Sequence, residues 1–183
     1  MISIRLPSIF LFSAFLFATL PANADYTPGT VYGLVTGTTD GGHLTVNGNG
    51  TEIPVKLYCV EAPVMTKVRK DRPWLAKSGQ PFAGRAFMAL SNKVLHKQVR
   101  IDILKIDRKR RAVAIVYLDG RNINLEMVAE GWGWASRKCQ KRPPDAEYVA
   151  AEERARARKA GLWAQDNPQP PWEFKRMQKQ EPK

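Results

Sequence analysis

Cysteine and histidine are both scarce in this chain of 183 residues: Cys59 and Cys139, His43 and His96 are all there are. Two distant cysteines and two distant histidines do not have the paired spacing of a zinc site, which excludes zinc as the organising feature. In an exported chain an even cysteine count admits one disulfide. The alternative is that Cys59, set in an apolar strand, is a small buried hydrophobe. Long apolar runs are also rare. The one candidate, Ile9 to Leu20, has about a dozen residues, too few for the ~20 that a bilayer crossing needs. It follows a lone charge, Arg5, and precedes Ala22-Asn23-Ala24, the layout of a secretory signal peptide cleaved after Ala24. Export to the periplasm or the medium is therefore expected, with no transmembrane segment in the remainder.

Acidic residues are the third shortage. The remaining 159 residues hold 28 Lys and Arg (29 less Arg5) against 17 Asp and Glu, a net charge of +11. Such an excess favours a polyanionic partner through counterion release and steering, and leaves nucleic acid, an anionic cell surface and acidic glycans open. The length suits one domain with its own core, and a monomer is expected. The expected organisation is a signal peptide over 1–24, a domain over 25–166 and a proline-rich basic tail over 167–183 that wanders over the surface or is disordered.

What is present reads as short strands and a few helices. Thr30 to Val35 alternates, Thr36 to Gly42 is a polar turn, and His43 to Val46 leads into Asn47-Gly48-Asn49-Gly50, a hairpin signal demanding positive φ. Val55 to Val64 is a strand stopped by Pro63, which places Lys56 and Glu61 near one strand end. Residues 65–79 have no period and carry Lys67, Arg69, Lys70, Arg72 and Lys77 with Trp74. This is a long basic loop, either a solvated charge run or a phosphate-tracking flap with Trp74 free to stack on a base. A helix opens at Pro81, with Phe82, Ala86, Leu90 and Val94 as its core stripe. Strands follow over Val99 to Ile106 and Ala112 to Leu118, with a tight turn at Asp119-Gly120. Asn122 or Asn124 caps a short helix ending at Gly131, and a last helix runs from Asp145 to Lys159. Strands, helix, strands, then helices is an α+β pattern matching a five-stranded OB-type barrel.

The stretch Lys56, Glu61, Ala62, Pro63, Val64 resembles the active-site strand of the staphylococcal nuclease-like (thermonuclease) family, which reads Arg, four residues, Asp-(Ala/Thr)-Pro-Glu. Further pieces follow in order: Gly79 to Ala86, Asp107 to Arg111, Val116 to Asn124, and Ala160 to Trp163 with Pro170 to Phe174. The resemblance spans about residues 29–176 and implies an OB-type barrel with three helices and a groove for phosphodiesters. It also implies calcium-dependent cleavage of DNA or RNA. In the family, one ion is held by the second Asp of Asp-Gly-Asp-Thr and the Asp of the strand motif, a Glu acts as base, and two arginines grip the phosphate.

Carried over residue by residue, Asp40-Gly41-Gly42-His43 falls on the Asp-Gly-Asp-Thr turn. Gly42 stands at the usual ligand position, leaving Asp40 and Glu61 as the candidate metal ligands of a weakened calcium site. Val64 occupies the general-base position. Lys56 replaces the first arginine and loses its fork, and Arg111 matches the second. Arg108 and Lys109 fall where relatives place phosphate-contacting and aromatic groups, and Arg137 where a base-stacking tyrosine often lies. Three readings result. The leading one is a secreted thermonuclease-like domain that binds nucleic acid through a basic groove, with hydrolysis weak or lost. The second is an active calcium-dependent endonuclease with a site rebuilt from Asp40, Glu61 and Asp71. The third is a binder of an anionic envelope component.

Overall fold

The computed structural model describes residues 29–69, 71–139 and 145–180, and only the backbone path for residues 68, 69 and 72–76. The expected signal peptide lies outside the described residues. In chain order the strands and helices are β1 (Gly29–Asp40), β2 (His43–Gly48), β3 (Thr51–Leu57), β4 (Val60–Glu61), β5 (Lys67–Arg69), β6 (Arg72–Lys77), α1 (Ala83–Val94), β7 (Gln98–Ile106), β8 (Ala112–Leu118), β9 (Arg121–Asn122), α2 (Ile123–Ala129), β10 (Trp134–Ala135), α3 (Ala146–Ala157), a 3-10 helix (Gly161–Ala164) and α4 (Pro171–Gln180).

Five strands close into a barrel in the order β3-β2-β1-β7-β8. The pairs are antiparallel except the closing one, where Val55–Leu57 of β3 run parallel to Ala112–Ala114 of β8. β1 serves two neighbours because it bends. Gly29–Leu34 pair with β7 and Leu34–Asp40 with β2, and the register shifts at Val35/Gly37 and Thr38/Asp40 give the local kinks that curl a strand around a barrel. Gly33 permits the crowding there, since a Cβ on it would stand 2.3 Å from the Asn47 carbonyl oxygen. The hairpin from β2 to β3 turns on Asn49 (φ 53°) and Gly50 (φ 80°), the two left-handed residues of a twist-matched hairpin.

Alternation fills the barrel with Val35, Leu44, Val46, Ile53, Val55, Leu57, Ile101, Ile103, Ala114 and Val116. Leu90 and Val94 of α1 and Ile123, Met127 and Val128 of α2 join the same core. A second apolar cluster of Trp134, Ala155, Leu162 and Trp163 gathers Phe82, Ala160 and Trp172 around it. Among the described residues no helix is long and apolar enough to cross a membrane.

Five sequence expectations are corrected. Thr36 to Asp40 belong to β1 rather than to a turn, because threonine suits an exposed strand position, and the turn shrinks to Gly41-Gly42. Val55 to Val64 is two strands, interrupted at Tyr58-Cys59. The basic loop over 65–79 contains a hairpin, β5 with β6, in which Lys67 faces Lys77 and Arg69 faces Arg72; main-chain pairing needs no apolar alternation, so no period marked it. α1 begins at Ala83, after a left-handed Phe82 (φ 65°), not at Pro81. The tail forms a fourth helix, α4, with Pro171 at the first position, where its missing N–H costs nothing, and Trp172 held against the second cluster.

Candidate functional site

The break after β3 determines where Glu61 points. Cys59 adopts φ 62° and is joined to Cys139 by a disulfide whose Cα atoms are 5.3 Å apart. The main chain freed at Tyr58 is caught by Asn124, which is fully buried in α2. Its amide nitrogen donates to the Tyr58 and Ala114 carbonyls, both at 2.9 Å, and its oxygen accepts from the Val116 N–H at 2.9 Å. β4 then pairs with β10, Glu61 opposite Trp134. The result returns Glu61 toward Lys56, whose Nζ donates to Glu61 Oε1 at 2.9 Å with both side chains about one-quarter exposed.

The second half of the site is a turn organised by one carboxylate. Asp107 Oδ1 accepts the backbone N–H groups of Lys109 (2.8 Å) and Arg111 (3.0 Å), and Oδ2 accepts Nε (2.9 Å) and Nη2 (2.6 Å) of the Arg111 side chain. Burial alone would raise the Asp107 pKa, but the bonds from Arg111 and the backbone outweigh it and hold the group down at about 2. Arg111 also donates from Nη1 to His43 Nε2 at 2.6 Å, and His43 Nδ1 donates to the two Asp40 oxygens at 2.8 and 2.9 Å. The ring therefore carries its proton on Nδ1, the one placement in which both contacts are hydrogen bonds. Asp40 Oδ1 further accepts the Gly42 N–H at 2.7 Å. Its burial, which would raise the pKa, is outweighed by His43, the Gly42 N–H and the charge of Lys175, so the carboxyl sits below its ordinary range. His43 thus joins the Asp40 turn to Arg111. The sequence placed His43 at the end of the Asp40-Gly41-Gly42-His43 turn without a role in the site, although its position opposite Lys56 across the β2–β3 ladder was a usable signal.

Apart from Asp107, these groups line one cavity of about 420 Å³, whose charged walls among the described residues are Lys56, Lys67, Lys109, Arg111 and Lys175 and two carboxylates, Asp40 and Glu61. A neighbouring hollow of about 620 Å³ shares Lys56, Glu61, Lys109 and Arg111 and adds Lys105, Arg108 and Lys138. The two form a continuous cationic groove. Val64 lines the first cavity with a hydrocarbon side chain, and its main chain is tied to Gln80 in both directions, at 2.9 and 2.8 Å. Asp71, at the tip of the β5–β6 hairpin, does not line it. The Arg137 guanidinium lies 4.7 Å over the Trp172 ring and lines a separate hollow beside Trp134 and Trp163. Lys70 and the side chains of Arg69, Arg72 and Trp74 lie outside the described residues.

Calcium takes about six to eight oxygen ligands. Here Asp40 is bonded to His43 and the Gly42 N–H, Glu61 holds the Lys56 ammonium, and five cationic side chains share the space. As arranged, the donor set does not fit a calcium ion. Position 42 itself has space, since a Cβ there would be in ordinary contact with Ala62 Cβ at 3.5 Å and Asp40 Oδ1 at 3.6 Å.

A family model described as Staphylococcal nuclease homologue matches residues 54–165. The chain belongs to the staphylococcal nuclease family. It is 35% identical over 141 residues to an "Uncharacterized endonuclease" of Haemophilus influenzae, covering 76% of this chain and 70% of that one. It is 32% identical over 173 residues to a "Micrococcal nuclease" of Shigella flexneri, covering 90% and 88%. The closed barrel with helices is the fold the family implies, with α4 as an addition to the three helices expected. Within the staphylococcal nuclease family pattern, Arg111 stands on a fully bonded turn, whereas positions 42, 61 and 64 carry Gly, Glu and Val.

Proposed function

We propose that this chain is an exported member of the family that binds nucleic acid phosphodiesters in the groove, with hydrolysis weak or lost. The observation that carries the reading is the charge of the cavity: five cations against two carboxylates, each carboxylate already bonded to a side chain of the protein. A guanidinium has five N–H donors. Arg111 uses three of them, on Asp107 and His43, which leaves one N–H on each Nη nitrogen for phosphate oxygens. Lys56 keeps two of its three N–H donors after pairing with Glu61 and acts as a point charge. Lys67, Arg108 and Lys109 make no ion pair among the described residues and extend the contact along the backbone.

Hydrolysis needs a group to take a proton from water, and Val64 has none to offer. A missing general base typically costs about 10²–10⁴ in rate. The disulfide between two otherwise buried cysteines supports export, because such bonds persist in oxidising compartments.

A second reading, an active calcium-dependent nuclease, is favoured by the names of the relatives. It requires Asp40 and Glu61 to leave His43 and Lys56 for an ion. The deciding experiment incubates the purified chain with single-stranded DNA, plasmid DNA and RNA, with calcium or with chelator, beside Arg111→Ala, and follows binding on the same samples. The proposal expects salt-dependent complexes and intact substrate. Chelator-sensitive cutting that disappears in Arg111→Ala would establish the second reading, and an acidic glycan that outcompetes DNA at equal salt would replace nucleic acid as the partner.

A further inference from the structure

The C-terminal helix was expected to be a loose tail, yet it is fastened beside the groove at several points. Gln178 donates from Nε2 to the Ser78 carbonyl at 2.7 Å, and Lys77 Nζ donates to the Gln178 carbonyl at 3.1 Å. Gln80, buried at 8% exposure, bridges the two regions: its oxygen accepts the Val64 N–H at 2.9 Å and its nitrogen donates to the Gln169 carbonyl at 2.8 Å. Trp172 packs on the tryptophan cluster beneath the Arg137 guanidinium. These contacts fix the rotation of α4 about its axis. That rotation puts Lys175 in the wall of the cavity that also holds Asp40, His43, Lys56, Glu61 and Arg111.

We propose that Lys175 of α4 is a phosphate-binding residue of the groove, held at its mouth by the Gln80 and Gln178 contacts. The proposal rests on the groove being a phosphodiester site. Lys175 is exposed and makes no ion pair among the described residues, and its charge already reaches Asp40 across the cavity. With Lys56 engaged by Glu61 and Arg111 by Asp107 and His43, the Lys175 ammonium supplies positive charge to the same cavity where those two are partly spent. A strand lying in the groove would then be held from two sides, by the barrel and by α4.

The test measures binding of a fluorescent single-stranded oligonucleotide to the purified chain over a range of salt concentrations. Each phosphate contact removed lowers the slope of log affinity against log salt by about 0.7 for single strands. Lys175→Ala should show that drop and lose roughly threefold to tenfold in affinity at low salt, and Lys175→Arg should restore both. Arg176→Ala removes the same charge from the next residue, about 100° round the helix, and should leave the slope unchanged. If Lys175→Ala matches the parent, or if both alanine variants lose equally, the assignment of Lys175 is wrong while the groove stands. A parent chain with no salt-dependent binding would overturn both.

Discussion

The two walls of the groove have been built differently. The Asp107–Arg111 turn is self-contained: one carboxylate takes four hydrogen bonds from residues within four positions of itself and aims its own arginine. The segment from Lys56 to Val64 depends on distant parts of the chain. Its break at Tyr58-Cys59 is held by Asn124 and by a disulfide to Cys139, and its charges close on each other as Lys56–Glu61. On the proposed reading, the contrast separates the parts of a phosphodiester site by how much change each tolerates. A grip on phosphate needs only cations in roughly the right place, and it survives exchange of Arg for Lys with some loss. Proton transfer and metal binding need particular oxygens at particular positions, and the side chains of Gly42 and Val64 provide none.

The largest effect is expected from rebuilding the altered wall. Lys56→Arg, Gly42→Asp, Glu61→Asp and Val64→Glu together should raise calcium-dependent cleavage by at least the ~10²–10⁴ that a general base contributes, read as single-turnover rates against the parent. No gain would mean that the wall is wrong in its backbone and not only in its side chains. Next is the support of that wall. Cys59→Ala with Cys139→Ala should cost about 2–5 kcal/mol in denaturant unfolding, and Asn124→Ala, which strands buried main-chain groups, should cost about 2–4 kcal/mol.

Smaller effects separate the two grips. Arg111→Ala should weaken binding of a single-stranded oligonucleotide by about 10–100-fold, the scale of a charge-assisted hydrogen-bond pair. Lys56→Ala, whose charge is already shared with Glu61, should cost only about two- to threefold. Equal losses would erase the distinction between the walls. The smallest effect is in acid. Because the Asp107 pKa is depressed from 3.8 to about 2, its contribution to stability is present above about pH 4 and is lost as the pH falls toward 2. Asp107→Asn should flatten the acid unfolding curve in that window alone.

The barrel was legible because its strands obey a local rule, alternation bounded by turn residues, and the Asn49-Gly50 and Asp119-Gly120 turns carry their own backbone signal. Arg111, Lys56 and Glu61 were singled out by the resemblance to the family motif, and the fold brings the three to one cavity. The rest was set by contacts between distant parts of the chain. His43 matters because Arg111, 68 positions away, folds against it. α4 is polar apart from a few residues, and its anchor is a tryptophan pocket that exists only in the folded protein. At the strand break the Tyr58 carbonyl accepts from Asn124, 66 positions away.

The central claim, that gripping has outlived cutting, is tested most directly by following one labelled single-stranded oligonucleotide through binding and cleavage on the same sample of the unaltered chain, with calcium and with chelator. The account predicts a salt-dependent complex in both conditions with the strand intact. Calcium-dependent cleavage at a rate that falls to background in Arg111→Ala would contradict it.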